Sequence, residues 1–236
     1  MLSNGADVHR VEDTVERLGH AFEFSDCHVL AINPGIIVTM THPTGAVETQ
    51  TRRIRQINTD LNMVSELNNL SREICAGKMD LDQVQKRIEE IRTASPYPEA
   101  VIYFGYIITA AFFTLLFGGT IRDMLFSAPV GALLLFVKNR MEAIHNNKMM
   151  INIILSALCT LLAMIGEAVL PVLHSDMIII GNIMLLIPGL AFCNSIHDMV
   201  RGETISGLLS LADAILRALS IAIGYVAAWV LIGRFL

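Results

Sequence analysis

Apolar positions follow two different patterns along the chain. Through residue 95 they are spaced for helices and strands with one wet face; beyond it they gather into long runs. Val8, Val11, Val15, Leu18 and Phe22 recur at steps of three and four, with Asp7, Arg10, Glu12, Asp13, Glu16 and Arg17 on the other faces. That spacing predicts an amphipathic helix with one buried stripe. Cys27–Ile32 and Ile36–Thr41 predict short strands around the turn former Asn33-Pro34-Gly35, and Pro43-Thr44-Gly45 marks a second reversal. Ala46–Arg53 alternates less cleanly and predicts the edge strand of a three-stranded meander. Leu61, Val64, Leu67, Leu70 and Ile74 form the stripe of another helix, stopped at Gly77. Asp80 caps a third, carrying Leu81, Val84, Ile88 and Ile91. Residues 1–95 thus predict a small α+β domain of order α-β-β-β-α-α, and Ser95-Pro96-Tyr97-Pro98 a stiff linker out of it.

Residues 96–236 predict an α-helical membrane domain of five transmembrane helices. Val101–Gly119 is uncharged and long enough to cross about 30 Å of hydrocarbon. Met124–Val137 is shorter and spans only with Arg122 and Asp123 near its outer end. Met149–Leu170, Met177–Ile196 and Leu208–Ile232 are the third, fourth and fifth runs. Inside the fourth lies Pro188-Gly189, flanked by Asn182 and Asn194. Proline lacks the backbone donor and its ring crowds the carbonyl four residues back, so a helix kinks or breaks there. In lipid such a break persists only where protein or a polar cavity satisfies the freed groups, and discontinuous helices of this kind build the substrate sites of many transporters. A proline-kinked span packed by small residues is the plainer alternative.

Charge divides at the same boundary. Residues 1–99 hold ten Lys/Arg against fifteen Asp/Glu, and residues 100–236 hold seven of each. The whole net charge of −5 therefore belongs to the first part, and no basic excess supports nucleic-acid binding. Met1 leads directly into a charged amphipathic stretch without a signal peptide, which predicts a cytosolic first domain. Lys138, Arg140, Lys148 and Arg201 then fall on the inner side, against Arg122 and Arg234 outside. That bias predicts an N-terminus inside and a C-terminus outside.

Catalytic and metal chemistry find little support. Cys27, Cys75, Cys159 and Cys193 are widely spaced and read as free buried thiols. His9, His20, His28 and His42 lack metal-ligand spacing, and the chain has no phosphate loop, GxSxG or HExxH. No catalytic residue, metal or cofactor is expected. Arg10 and Glu12, with Arg52 and Arg53, could hold an anion bidentately, or they are a solvated helix face and a charged edge strand. In the membrane half, Asn182, Pro188, Gly189, Asn194 and Asp198 are the candidates for lining a substrate path. Glu167, Asp213 and Arg217 are gating or proton-linked candidates; Asp213 and Arg217, four apart on one face, can also form a structural pair, and Glu167 and Asp198 also read as solvated helix-end charges. An odd number of spans suits a partner of five spans entering where this chain exits, an inverted-topology pair with alternating access.

Asn4-Gly5-Ala6, Arg10-Val11-Glu12, the Arg52-Arg53 strand, the segment NNLSR from Asn68 to Arg72, Pro96-Tyr97-Pro98 and IPGLAFCNSIHDMVRGETISG from Ile187 to Gly207 together resemble the threonine/serine exporter family. The resemblance covers essentially the whole chain and is to the larger subunit form, a cytosolic domain plus five spans. It implies a bacterial inner-membrane exporter of small polar metabolites: threonine and serine in fused ten-span members, succinate in a split two-subunit form. It also implies a smaller five-span membrane subunit as partner, within an assembly whose copy number stays open. Its motif positions fall on Pro188, Gly189, Asn194, Asp198, Gly202, Gly207, Arg10 and Glu12. Family members usually carry another turn or more of helix before the Asn-Gly-Ala motif, so either a truncated first helix or a misassigned start is expected here. Two further readings stay open: a membrane-anchored hydrolase through residues 1–95, and a metabolite sensor in which those residues regulate the pore. A mere anchor would not need five spans with polar interruptions.

Overall fold

The computed structural model describes residues 1–32, 34–54, 58–93, 97–144 and 147–232. Asn33 of the first predicted turn, Arg55, the Ser95-Pro96 part of the linker and Arg234 lie outside the described residues. Two compact units are present: Met1–Pro96 with Gly189–Ala212, and Tyr97–Pro188 with Asp213–Leu236.

In the first unit a short 3-10 turn, Leu2–Asn4, precedes α1 (Val8–Ala21). Strands β1 (Asp26–Ile32), β2 (Gly35–Thr41) and β3 (Val47–Arg53) follow, then α2 (Leu61–Cys75) and α3 (Leu81–Thr93). The sheet is an antiparallel meander of order β1-β2-β3. Its register sets Ala31 opposite Ile36 and Ile36 opposite Arg52, so one face carries Cys27, Val29, Ala31, then Ile36, Val38, Met40, then Glu48, Gln50, Arg52. Helix α1 packs on β1. Its buried positions are Val8, Val11, Thr14 and Gly19. The predicted stripe therefore fails at its far end: Phe22 lies past the last helical residue and is exposed, and Gly19 takes the contact because a Cβ there would sit 2.8 Å from that of Cys27. Asp7 and Asp60 cap α1 and α2 by accepting from the N–H groups of Arg10 and Met63.

The remaining helices are α4 (Glu99–Leu116), α5 (Ile121–Glu142), α6 (Lys148–Val169), α7 (Ser175–Ile183), α8 (Gly189–Val200) and α9 (Thr204–Ile232). Among the described residues three stretches are long and apolar enough to cross a membrane: Glu99–Leu116, Lys148–Val169 and Thr204–Leu231. Helix α5 has the length but carries Arg122, Asp123, Lys138, Arg140 and Glu142 near its ends, with Pro129 inside it. The fourth predicted run is two short helices rather than one kinked span. Within the second unit, α4, α5, α6 and α7 pack on one another around Val130, Leu134, Leu155, Cys159, Ala163 and Ile178. Much apolar surface stays open, including Phe104, Phe112 and Leu116 of α4 and Leu219, Ile223, Val226 and Trp229 of α9. Surface of that extent needs an apolar surrounding. Of the four cysteines predicted to be buried, Cys27 and Cys159 are, whereas Cys75 and Cys193 are exposed.

Candidate functional site

Three small polar side chains from three apolar helices meet inside the second unit. Thr114 (α4), Ser127 (α5) and Asn182 (α7) are fully buried. A hydroxyl in an apolar helix turns back to the carbonyl one turn earlier, and Thr114 does so onto Ala110 at 2.9 Å. Ser127 Oγ donates to the same carbonyl at 3.1 Å and lies 2.7 Å from Thr114 Oγ1. The Asn182 amide donates to Ser127 Oγ at 2.7 Å and to the Ile178 carbonyl at 3.0 Å. Asn182 Oδ1 has no hydrogen-bond partner among the described residues. An unsatisfied buried acceptor costs about 1–3 kcal/mol, so the cluster holds one strong acceptor in reserve. Small residues permit this approach: a Cβ on Gly181 would lie 2.2 Å from Thr114 Oγ1, and one on Gly131 would lie 3.4 Å from Asn182 Oδ1.

Helix α7 ends at Ile183, one residue beyond Asn182, and helix resumes at Gly189. The proline suits a stop here: Pro188 cannot donate to the carbonyl of Met184, four residues back, and its ring crowds that carbonyl, and Met184 is the residue that caps α7. Met184–Leu186 form turns, with Leu185 and Leu186 donating to the Asn182 and Ile183 carbonyls.

Asn194 and Asp198, on α8 in the first unit, hold the start of α1. Asn194 Nδ2 donates to the Gly5 carbonyl at 3.0 Å, and the Val8 N–H donates to Asp198 Oδ1 at 3.3 Å. A carboxylate suits the free N–H groups of a helix N-terminus. Burial raises the Asp198 pKa; the Val8 bond and His197 oppose that rise, and Asp7 and Glu203 add to it. Gly202 makes the turn after α8 with φ +98°, and Gly207 lets α9 approach α8 at Ser195 and Met199.

Arg10 and Glu12 do not converge on a ligand. Arg10 lies 3.7 Å from Asp7, and Glu12 accepts the Ala31 N–H at 2.7 Å on the outer edge of β1. Burial raises the Glu12 pKa, against the pull of the Ala31 bond. Arg52 and Arg53 occupy opposite faces of β3. Glu167, at the end of α6, accepts from the Ser175 hydroxyl, and Arg217 pairs with Asp213 one turn away on α9.

A saturated carboxylate sits at the start of α5. Asp123, fully buried, receives the Thr120 N–H and hydroxyl at 2.7 and 2.8 Å, the His174 N–H at 2.8 Å, and meets His174 Nδ1 at 3.0 Å. That contact raises the pKa of His174. Among the described residues no group of His, Cys, Asp and Glu could hold a metal ion.

Of the five predicted path residues, Asn182 belongs to the polar cluster, Asn194 and Asp198 to the α1 contact, and Pro188 and Gly189 to the break between the two helices. The model of the threonine/serine exporters, ThrE, matches residues 1–232. The chain belongs to that family. A Mycobacterium tuberculosis protein named "Probable threonine/serine exporter" is 24% identical over 95% of this chain, which spans only 42% of that relative's length. Two enterobacterial proteins named "Probable succinate transporter subunit YjjP" are each 24% identical as well. The one from Klebsiella aerogenes aligns over 99% of this chain and 90% of its own length, and the Escherichia coli one over 97% and 89%. No solved structure matches the chain. Membership in the exporter family, together with long apolar helices, makes this a membrane protein of a transport family.

Proposed function

We propose that the chain is one subunit of a secondary transporter that exports small polar metabolites from a bacterial cytoplasm. Residues 1–95 form its cytosolic domain, and residues 96–236 its five-span domain in the inner membrane. α4, α6 and α9 supply three spans, α5 the second, and Met177–Ile196, from α7 into α8, the broken fourth, with Asp198 beyond its inner end. The basic bias of Lys138, Arg140, Lys148 and Arg201 favours an N-terminus inside and a C-terminus outside. Five spans leave half of an inverted pair, which a second, smaller five-span subunit completes. The protein is a carrier and not an enzyme, and it uses no cofactor.

One observation carries this reading: Asn182 keeps an open acceptor, fully buried, one residue before a break in an apolar helix. An acceptor left open at that depth is suited to a substrate hydroxyl or ammonium that arrives when the pair changes state. Threonine and serine carry both groups, while succinate offers mainly acceptors, so the cluster favours hydroxy amino acids as cargo. Asn194 and Asp198 couple α8 to the cytosolic domain, and Glu167, Asp213 and Arg217 are the gating or proton-linked candidates. An efflux rate indifferent to an imposed pH gradient would remove proton coupling.

Proteoliposomes containing this chain, with and without a five-span partner, test the proposal when preloaded with labelled threonine, serine or succinate. Export only in the presence of the partner, lost on Asn182→Ala, is the expected result. Folded protein that releases none of the three substrates in either preparation refutes it.

A further inference from the structure

The first unit has a cleft that the transport reading leaves unused. It is about 340 Å³ in volume and is lined by Val15 and Phe24, by Ile36, Val38 and Met40 of β2, and by Glu48, Gln50 and Arg52 of β3. It arises from a mismatch in the sheet. On the face that α1 covers over β1, the side chains run apolar across β1 and β2 and turn polar on β3. A sheet face meant only for a core would continue apolar. Charge that only protects an edge from pairing explains a polar β3, but not an apolar floor left open beside it.

The polar row has opposite charges at its ends. Glu48 and Arg52 are four residues apart, about 13 Å along the strand, with Gln50 between them, and no ion pair joins the two among the described residues. Arg52 Nη2 reaches the Gln50 amide oxygen at 3.4 Å, and among the described residues most of the guanidinium donors have no other hydrogen-bond partner. Among the described residues the partner of Glu48 is His42, 3.9 Å away, and His42 packs edge-on against Phe24 at the same rim.

We propose that this cleft binds a free α-amino acid with a small or aliphatic side chain, its carboxylate on Arg52, its ammonium on Glu48 and its side chain on Val38 and Met40. The guanidinium is the group best shaped for a carboxylate. Glu48 selects against a second carboxylate, so a dicarboxylate is rejected where a zwitterion is accepted. The volume lies in the range of small-molecule sites.

Binding is measured by calorimetry on the full chain in nanodiscs, without any transport partner. Success or failure here is therefore independent of the efflux experiment. The probes are L-threonine, L-valine, L-valinamide, N-acetyl-L-valine and succinate. Threonine and valine should bind saturably, while the amide, the N-acetyl compound and succinate should bind at least tenfold more weakly. Arg52→Gln and Glu48→Gln should each weaken valine at least tenfold, and Arg53→Gln, on the opposite face of β3, should leave it unchanged. The proposal is overturned if Arg52→Gln and Glu48→Gln bind valine as the parent does. It is overturned equally if succinate binds best in an Arg52-dependent, Glu48-independent way, which would make the cleft a dicarboxylate site.

Discussion

Removing Asn182 should abolish export while leaving the fold nearly as stable as before. Asn182→Ala deletes two hydrogen bonds, to Ser127 and to the Ile178 carbonyl. Bonds between membrane helices average about 0.6 kcal/mol, so the two together are worth about 1.2 kcal/mol. A cavity of roughly 30 Å³ adds about 0.7 kcal/mol at about 24 cal/mol per Å³. Against this, the substitution removes Oδ1, a buried acceptor without a partner, whose burial costs about 1–3 kcal/mol. The sum is close to zero.

Ser127→Ala differs in sign from that balance. It deletes the bond to the Ala110 carbonyl and strands one Asn182 N–H, leaving only the bond to Ile178. The loss is about 2–4 kcal/mol. Thermal unfolding in detergent should therefore rank Ser127→Ala well below Asn182→Ala, and Asn182→Ala beside the parent, with efflux lost in Asn182→Ala. If Asn182→Ala is the less stable of the two, or exports at the parental rate, the open acceptor is not held for substrate.

Asp198→Asn should flatten the pH dependence of stability. Because burial raises the folded pKa of Asp198, the folded state holds its proton longer than the unfolded chain. Stability then falls as pH rises from the ordinary carboxylate value through the folded one, and stays lower above it. Asparagine keeps the acceptor for Val8, so denaturation between pH 4 and 8 should show the variant gaining on the parent across that window and then levelling off. Gly224→Ala places a Cβ 2.2 Å from the Ile153 carbonyl and 2.0 Å from Ser156 Oγ. It should cost about 1–3 kcal/mol or more, and a second change, Ser156→Ala, should not rescue the folded yield because the carbonyl remains. Arg217→Leu alone should destabilise more than Arg217→Leu with Asp213→Leu, since the single change strands a carboxylate. Efflux by the double variant then separates a structural pair from a gate.

Residues 1–95 were legible because their elements are amphipathic at periods of two and 3.6. Each of the six predicted elements is present, with β3 starting at Val47 in place of Ala46. Burial within them was less legible: Phe22, Leu61, Leu81 and Ile88 sit on predicted stripes and are exposed, because a stripe shows which face is apolar and not how far its neighbour extends. Pro188 announced a break in the fourth run, but the helix stops before Met184, the residue whose carbonyl the proline ring would strike. Thr114 and Ser127 gave no signal. A lone hydroxyl inside an apolar helix ordinarily bonds its own backbone, and only packing three helices together shows that these two meet Asn182. The cleft over β2 and β3 was half visible, as an arginine on an edge strand. Its complement Glu48 entered only through the strand register.

The same register of long-range contacts changes how Asp198 should be tested. Read along the chain, Asp198 lies just past a broken apolar run and looks like a carboxylate at the mouth of a path. In the fold it receives the first N–H of α1, and Asn194 on the preceding turn holds the Gly5 carbonyl. The two ends of the resembled motif, Asn4-Gly5-Ala6 and the Asn194-to-Asp198 segment, are thus partners of one another. Asp198→Ala would free the start of α1 whether or not Asp198 ever meets substrate, so lost export in that variant assigns nothing. Asp198→Asn distinguishes the two duties, since the amide oxygen keeps the Val8 bond and gives up the charge. If Asp198 serves to hold α1, export by Asp198→Asn should stay near the parental rate and show the same response to internal pH, with Asn182→Ala inactive beside it. Export lost in Asp198→Asn at unchanged stability would instead place the charge itself in the transport step.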